Sequence, residues 1–138
     1  MDTNKIQQLI ITELKTITGI PFIVEPNKAY TPSVGTPYIR TRFTAGEPVA
    51  QTIGFNRVMR ASGTFTADVW IPVNTGYNSK ADDIVKHFHK PENYWLDYSD
   101  NFKLQIYSSW RGNDFTDDKG TWTRNTAILR WYLSYPAE

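Results

Sequence analysis

Between residues 58 and 71 the chain alternates, with Met59, Ala61, Phe65, Ala67, Val69 and Ile71 on one side and mostly polar residues opposite. A period of two sustained this long is a β-strand with one buried face. Gly63 interrupts the inward set, which suggests a bend or bulge where a neighbour comes close. Residues 122–135 repeat the pattern, with Ala127, Leu129, Trp131 and Leu133 on the apolar side. Two such strands commit the chain to a fold organised around a sheet.

Shorter alternations extend that sheet. Tyr38, Arg40 and Arg42 face away from Ile39, Thr41 and Phe43, and residues 102–110 place Leu104 and Ile106 inward. Short strands are expected over 20–25 and around 49–53, and residues 26–37, which hold three prolines and one glycine, read as a loop that leads into the strand at 38–43. Two segments carry the helical period instead. Ile6, Leu9, Ile10, Leu14 and Ile17 recur at spacings of three and four, with Asp2 or Thr3 as cap and Gly19 and Pro21 as stop. Ala81, Ile84, Val85 and Phe88 share a face of a second helix, which Pro91 ends near Lys90. The stretch GNDFTDDKG, residues 112–120, reads as a polar hairpin loop. Hairpin-linked strands with two helices give an α+β fold, an antiparallel or mixed sheet with both helices packed on it, in a single domain.

Composition excludes several function classes. Fifteen basic against fourteen acidic side chains leave a net charge of +1, so any contact with nucleic acid is local. The chain has no cysteine, which removes disulfides, thiolate nucleophiles and zinc–thiolate sites. No apolar run approaches the ~20 residues a membrane span needs, and the first residues lack the apolar core of a signal peptide. A protein made in a cytoplasm is expected.

The candidate chemical sites weaken one by one. The strand, turn and helix over 63–85 have the order of a phosphate-binding loop, but Gly76 stands alone before bulky Tyr77, and Lys80 follows Ser79 instead of preceding it. Asn74 or Thr75 capping the helix and Pro72 ending the strand explain the stretch without a ligand. His87 and His89 point about 200° apart on a helix and cannot share an ion; they read as exposed side chains near a helix C-terminus. Asp82 with Asp83, and Asp114 with Asp117 and Asp118, lack the ligand spacing of a calcium loop. No serine sits in a nucleophile elbow. No cofactor, metal or catalytic residue is therefore expected.

What remains is a surface. Arg40, Arg42, Arg57 and Arg60, with Tyr38 and Phe55, mix basic and aromatic residues, and fit either contact with a polyanion or acidic protein, or simply the solvent face of two strands. Trp70 and Trp122 fall opposite the main apolar sets, where exposed aromatics suit a partner surface.

The run from residue 46 to 89 resembles the central segment of the tail terminator-like proteins of long-tailed bacteriophages. Gly46, Glu47 and Gly54, then Arg60, a strand with Gly63, Asp68 and Val69, a turn with Pro72 and Gly76, and a helix with Ala81, Asp82, Ile84 and Phe88 match that family's order. The first helix, the strand at 37–40 and the last strand with Trp122 agree in layout. The segment at 93–101 is richer in aromatics and the loop at 112–120 more acidic than the family pattern.

The resemblance implies a structural virion protein. Such proteins form a ring, usually of six subunits, on the head-proximal end of the tail tube. There they stop tube polymerisation and meet the head–tail connector, while DNA passes through the hole without sequence readout. Arg57 and Arg60 would lie at a subunit contact or face the channel, and Arg40, Arg42, Phe55, Trp70 and Trp122 at the subunit or partner interface. The rivals are another connector or tail tube subunit, or a small-ligand-binding or enzymatic α+β domain with a defined pocket.

Overall fold

The computed structural model describes residues 1–52, 57–73, 80–89 and 94–136. Its elements run α1 (Thr3–Leu14), β1 (Phe22–Val24), β2 (Tyr38–Ala45), β3 (Val49–Ala50), β4 (Val58–Pro72), α2 (Lys80–Phe88), β5 (Tyr94–Asp97), β6 (Lys103–Arg111), β7 (Phe115–Thr116) and β8 (Trp122–Pro136). The sheet dominates, and two helices lie on one of its faces.

β4 and β8 pair antiparallel without interruption, from Val58 opposite Pro136 to Pro72 opposite Trp122. Around this central pair the strand order is β1-β2-β4-β8-β6-β5. The short β3 continues along the β4 edge that β2 vacates, and β7 does the same for β6 on β8. β1 runs parallel to β2 while the other pairings are antiparallel, so the sheet is mixed.

Because β4 and β8 are in register, their alternations coincide. Ala61, Phe65, Ala67, Val69 and Ile71 of β4 meet Ala127, Leu129, Trp131 and Leu133 of β8 on one face, and all are buried. The helices cover that face. α1 contributes Ile6, Ile10, Ile11 and Leu14, and α2 contributes Ala81, Ile84 and Phe88, all in one cluster with the inner sheet residues. Asp2 caps α1 by accepting from the Lys5 amide at 3.2 Å. α2 has Asp82 and Asp83 in its first turn and Lys86 and His87 in its last, each sign where the helix dipole favours it.

Several expectations are corrected. α1 ends at Leu14, so Ile17 packs on the core from the following turn, and Gly19 reverses the chain at φ +74°. Gly63 makes no bulge: register runs unbroken through it, and the close neighbour is the β2 backbone. The 112–120 segment contains β7 and is not wholly a loop, because Phe115 and Thr116 pair with Arg124 and Thr123. A bulge does occur at Tyr107, between Ile106 and Ser108 in β6. It shifts the alternation by one, so that Ser109 and Arg111, not their neighbours, turn toward α2. Beyond Val73 the expected turn from Pro72 to Gly76, with its capping Asn74 or Thr75, lies outside the described residues, as do the helix stop at Lys90 and Pro91 and the end of the third strand at Ile53.

Candidate interaction surface

The face of the sheet away from the helices carries no secondary structure over it among the described residues. Its composition follows from the same register that built the core. Where β4 sends Phe65, Ala67 and Val69 inward, it sends Thr64, Thr66, Asp68 and Trp70 outward. The outward set of β8 is Trp122, Arg124, Thr126, Ile128, Arg130, Tyr132 and Ser134.

Arginines form a ladder across this face. Arg40 and Arg42 of β2 stand level with Thr126 and Ile128 through their shared partners Asp68 and Thr66, and Arg60 stands level with Ser134. With Arg124 and Arg130, five guanidiniums thus occupy successive levels along the strand axis, most of them two residues or about 7 Å apart.

Aromatic rings hold most of these side chains in place. Arg60 lies 4.0 Å above the Tyr132 ring, Arg130 5.0 Å from Trp110, and Arg124 5.1 Å from Phe115 and 6.0 Å from Trp70. At the end where β4 meets the 120–122 turn, Tyr38 stacks on Trp70 at 6.3 Å and meets Trp122 edge-on at 5.5 Å. Arg40 and Arg42 are held differently: Arg40 Nη1 donates to the Lys28 carbonyl at 3.4 Å, and Arg42 pairs with a carboxylate. Its Nε and Nη2 donate to the two Asp68 carboxylate oxygens at 3.0 and 3.2 Å, and Thr126 Oγ1 donates to the same carboxylate at 2.8 Å. Asp68 is thereby satisfied although its side chain is only 6% exposed. Of the ladder, Arg42 is the member paired with a carboxylate among the described residues.

The structure brings Arg40, Arg42, Arg60, Trp70 and Trp122 onto this one face. Arg57 is exposed ahead of β4 and belongs to no strand, and Phe55 lies outside the described residues. Reading by residue type missed Arg124, Arg130, Trp110, Phe115 and Tyr132, two of the ladder's five arginines and most of its ring supports. The signal was present: Arg124 and Arg130 share the parity of Trp122 in the last strand. Phe115 and Trp110 needed β7 and the bulge.

On the helix side the polar groups are tied into the scaffold. His87, expected as an exposed side chain, is half-buried: its Nε2 lies 2.9 Å from Glu13 Oε1 and 3.3 Å from the Tyr94 hydroxyl, which itself donates to Glu13. This joint fastens α1, α2 and β5 together. Burial, reinforced by the bond to the Glu13 carboxylate, pushes the Tyr94 hydroxyl up to about 12. His89 is exposed, as expected. Arg111 donates to Asp82 at 2.8 Å and to Asp114 at 2.5 Å, joining β6, α2 and the following loop. Burial opposes its charge, but the two aspartates outweigh that and hold the guanidinium above its ordinary value. Among the described residues no cluster of three or more histidines and carboxylates could hold a metal, and no helix is long and apolar enough to cross a membrane.

Fold and surface together define a β-dominated α+β protein with one helix-covered and one open sheet face. The chain belongs to the family of phage tail terminator proteins, whose model matches residues 5–129. That family is structural and not enzymatic, and it makes this chain a phage tail protein. Nineteen solved chains match the fold, among them one that is 17% identical with a TM-score of 0.71, covering 100% of this chain and 99% of its own. At that identity the likeness is one of fold alone. No curated protein matches the chain.

Proposed function

We propose that this protein, a single domain, closes as a ring on the head-proximal end of the phage tail tube. There it ends tube polymerisation and offers the surface to which the head–tail connector joins. The observation that carries this reading is family membership across nearly the whole chain. Six copies form the ring, DNA passes through its hole without sequence readout, and the net charge of +1 suits a passage that must not hold its cargo. The protein is made in the host bacterial cytoplasm and resides in the virion.

Contacts in the particle draw on Arg40, Arg42, Arg60, Trp70 and Trp122, with Phe55 and Arg57 from the segment before β4. Arginine and tryptophan are the residues that most often dominate protein interfaces, because each combines a broad flat surface with directional hydrogen bonding. Electron microscopy of the protein mixed with purified tail tubes tests the function: one ring at the tube end is expected. Long cylinders from the protein alone would mark it as a tube subunit, and a ring that leaves tubes growing would end the terminator reading. Charge-reversed Arg57 and Arg60 variants should fold yet fail to cap tubes. Normal capping would remove those two residues from the interface.

A further inference from the structure

The open sheet face carries an imbalance that the molecule as a whole does not. Arg40, Arg42, Arg60, Arg124 and Arg130 stand on it against the single carboxylate of Asp68, which leaves the face at about +4, while Asp97 and Lys103 at its margin pair with each other at 3.2 Å. The described residues together carry +2, so those off this face net about −2. The compensating acids lie elsewhere: Asp82 and Asp114 share the single charge of Arg111 and Asp83 pairs with Lys80, so the excess falls on the flank beside β7, where Asp117 and Asp118 follow Asp114, with Asp100 after β5 and Glu47 before β3. A chain divided in this way is complementary to itself, provided that the face of one copy meets a different flank of the next.

The face is also large enough. β8 runs outward residues from Trp122 to Ser134, about 40 Å at ~3.4 Å per residue, and four strands at ~4.8 Å spacing give about 19 Å of width, hence roughly 760 Å². That is close to the ~800 Å² each partner contributes to a standard stable interface. Three of its guanidiniums, those of Arg60, Arg124 and Arg130, are held over rings before any partner arrives, which lowers the entropy lost on docking.

We propose that the occupant of this face is a second copy of the chain, joined head-to-tail, with the arginine ladder of one subunit against an acidic flank of its neighbour. Such a contact uses two different patches and so propagates until it closes, which a two-fold contact cannot do. This rests on the ring reading above and adds which surface closes it.

The test is the double variant Arg124→Glu with Arg130→Glu, alongside the neutral Arg124→Gln with Arg130→Gln, each first checked for unchanged far-UV circular dichroism and melting temperature. Native mass spectrometry and light scattering should show the wild-type assembling, more weakly as salt rises, with the neutral pair impaired and the reversed pair monomeric. The reversed variant still offers its acidic flank, so mixed one-to-one with wild-type it should poison closure, cutting ring yield well below the half that dilution gives. Unchanged assembly of the reversed variant overturns the proposal, as does a wild-type that stays monomeric at all concentrations. Unchanged assembly with loss of binding to a 30-base-pair duplex would assign the face to nucleic acid instead. Tail-tube capping is scored separately, so rings that form through this face but leave tubes uncapped would refute the terminator reading and not this one.

Discussion

Replacing Gly63 by alanine should cost more than any single methyl normally does. A Cβ there would lie 1.9 Å from the Thr44 carbonyl oxygen and 2.8 Å from Cζ2 of Trp131. The first contact is backbone and cannot be relieved by a rotamer change. β2 must draw away from β4 by more than an ångström, just where Thr44 Oγ1 bonds Thr64 Oγ1 at 2.6 Å and Gly46 donates to the Ser62 carbonyl at 2.8 Å. Two or three hydrogen bonds at ~1 kcal/mol each are then strained or lost. The Phe43 ring, stacked on Trp131 at 5.4 Å, loses part of a contact worth ~1 kcal/mol. Stiffening of the unfolded chain returns about 0.4–1 kcal/mol, which leaves a net loss of roughly 3 kcal/mol. For a chain of this length that is a fall of about 10 °C in melting temperature. Gly46→Ala is the control, because its Cβ would meet the Ser62 carbonyl at an ordinary 3.5 Å. Thermal unfolding by circular dichroism, with hydrogen exchange at Thr44 and Ala45, reads both variants. A Gly63→Ala melting point within ~2 °C of wild-type, or equal to that of the control, would refute the claim that this glycine exists to let two backbones approach.

Other outcomes follow from the same contacts. Asp68→Ala should destabilise by about 1–2 kcal/mol in urea unfolding, no more, because Arg42 is 59% exposed and can turn to water once its partner is gone. Trp131→Ala, which removes a fully buried indole from between Phe43 and Gly63, should cost about 3–5 kcal/mol and lower the urea midpoint accordingly. Tyr94 has its hydroxyl raised to about 12 in the fold from an ordinary 10. Stability from this group is therefore complete below about pH 10 and is lost as pH rises toward 12. Ultraviolet titration of the phenolates should show a late-ionising tyrosine that Tyr94→Phe removes, while Tyr38, which burial also raises, stays late in the variant, and the variant should lose stability less steeply in alkali.

The long alternations at 58–71 and 122–135 were enough to name the two central strands, their buried parity and the outward placement of Trp70 and Trp122. Side-chain parity is a local property: once the backbone is extended, each residue's face is fixed by its neighbours in the chain. Both helices were legible for the same reason, through Ile6, Ile10 and Leu14 and through Ala81, Ile84 and Phe88. What the residues could not announce was who pairs with whom. β7 is two residues long, and Phe115 and Thr116 become a strand only because β8 is there to receive them. The bulge at Tyr107 is an accommodation between β6 and β8, and without it Ser109 and Arg111 would seem to face away from α2. His87 looked like an exposed helix end until α1 and β5 brought Glu13 and Tyr94 to it.

The arginine ladder divides the same way. That each of its members points outward was determined by sequence, strand by strand. That Arg40, Arg42, Arg60, Arg124 and Arg130, drawn from positions up to 90 apart, stand on five different levels of one face, four of them consecutive, was decided by register. Register is a relation between strands, set by the joint burial of Phe65 with Leu129 and Ala67 with Ala127, and no single segment of the chain contains it.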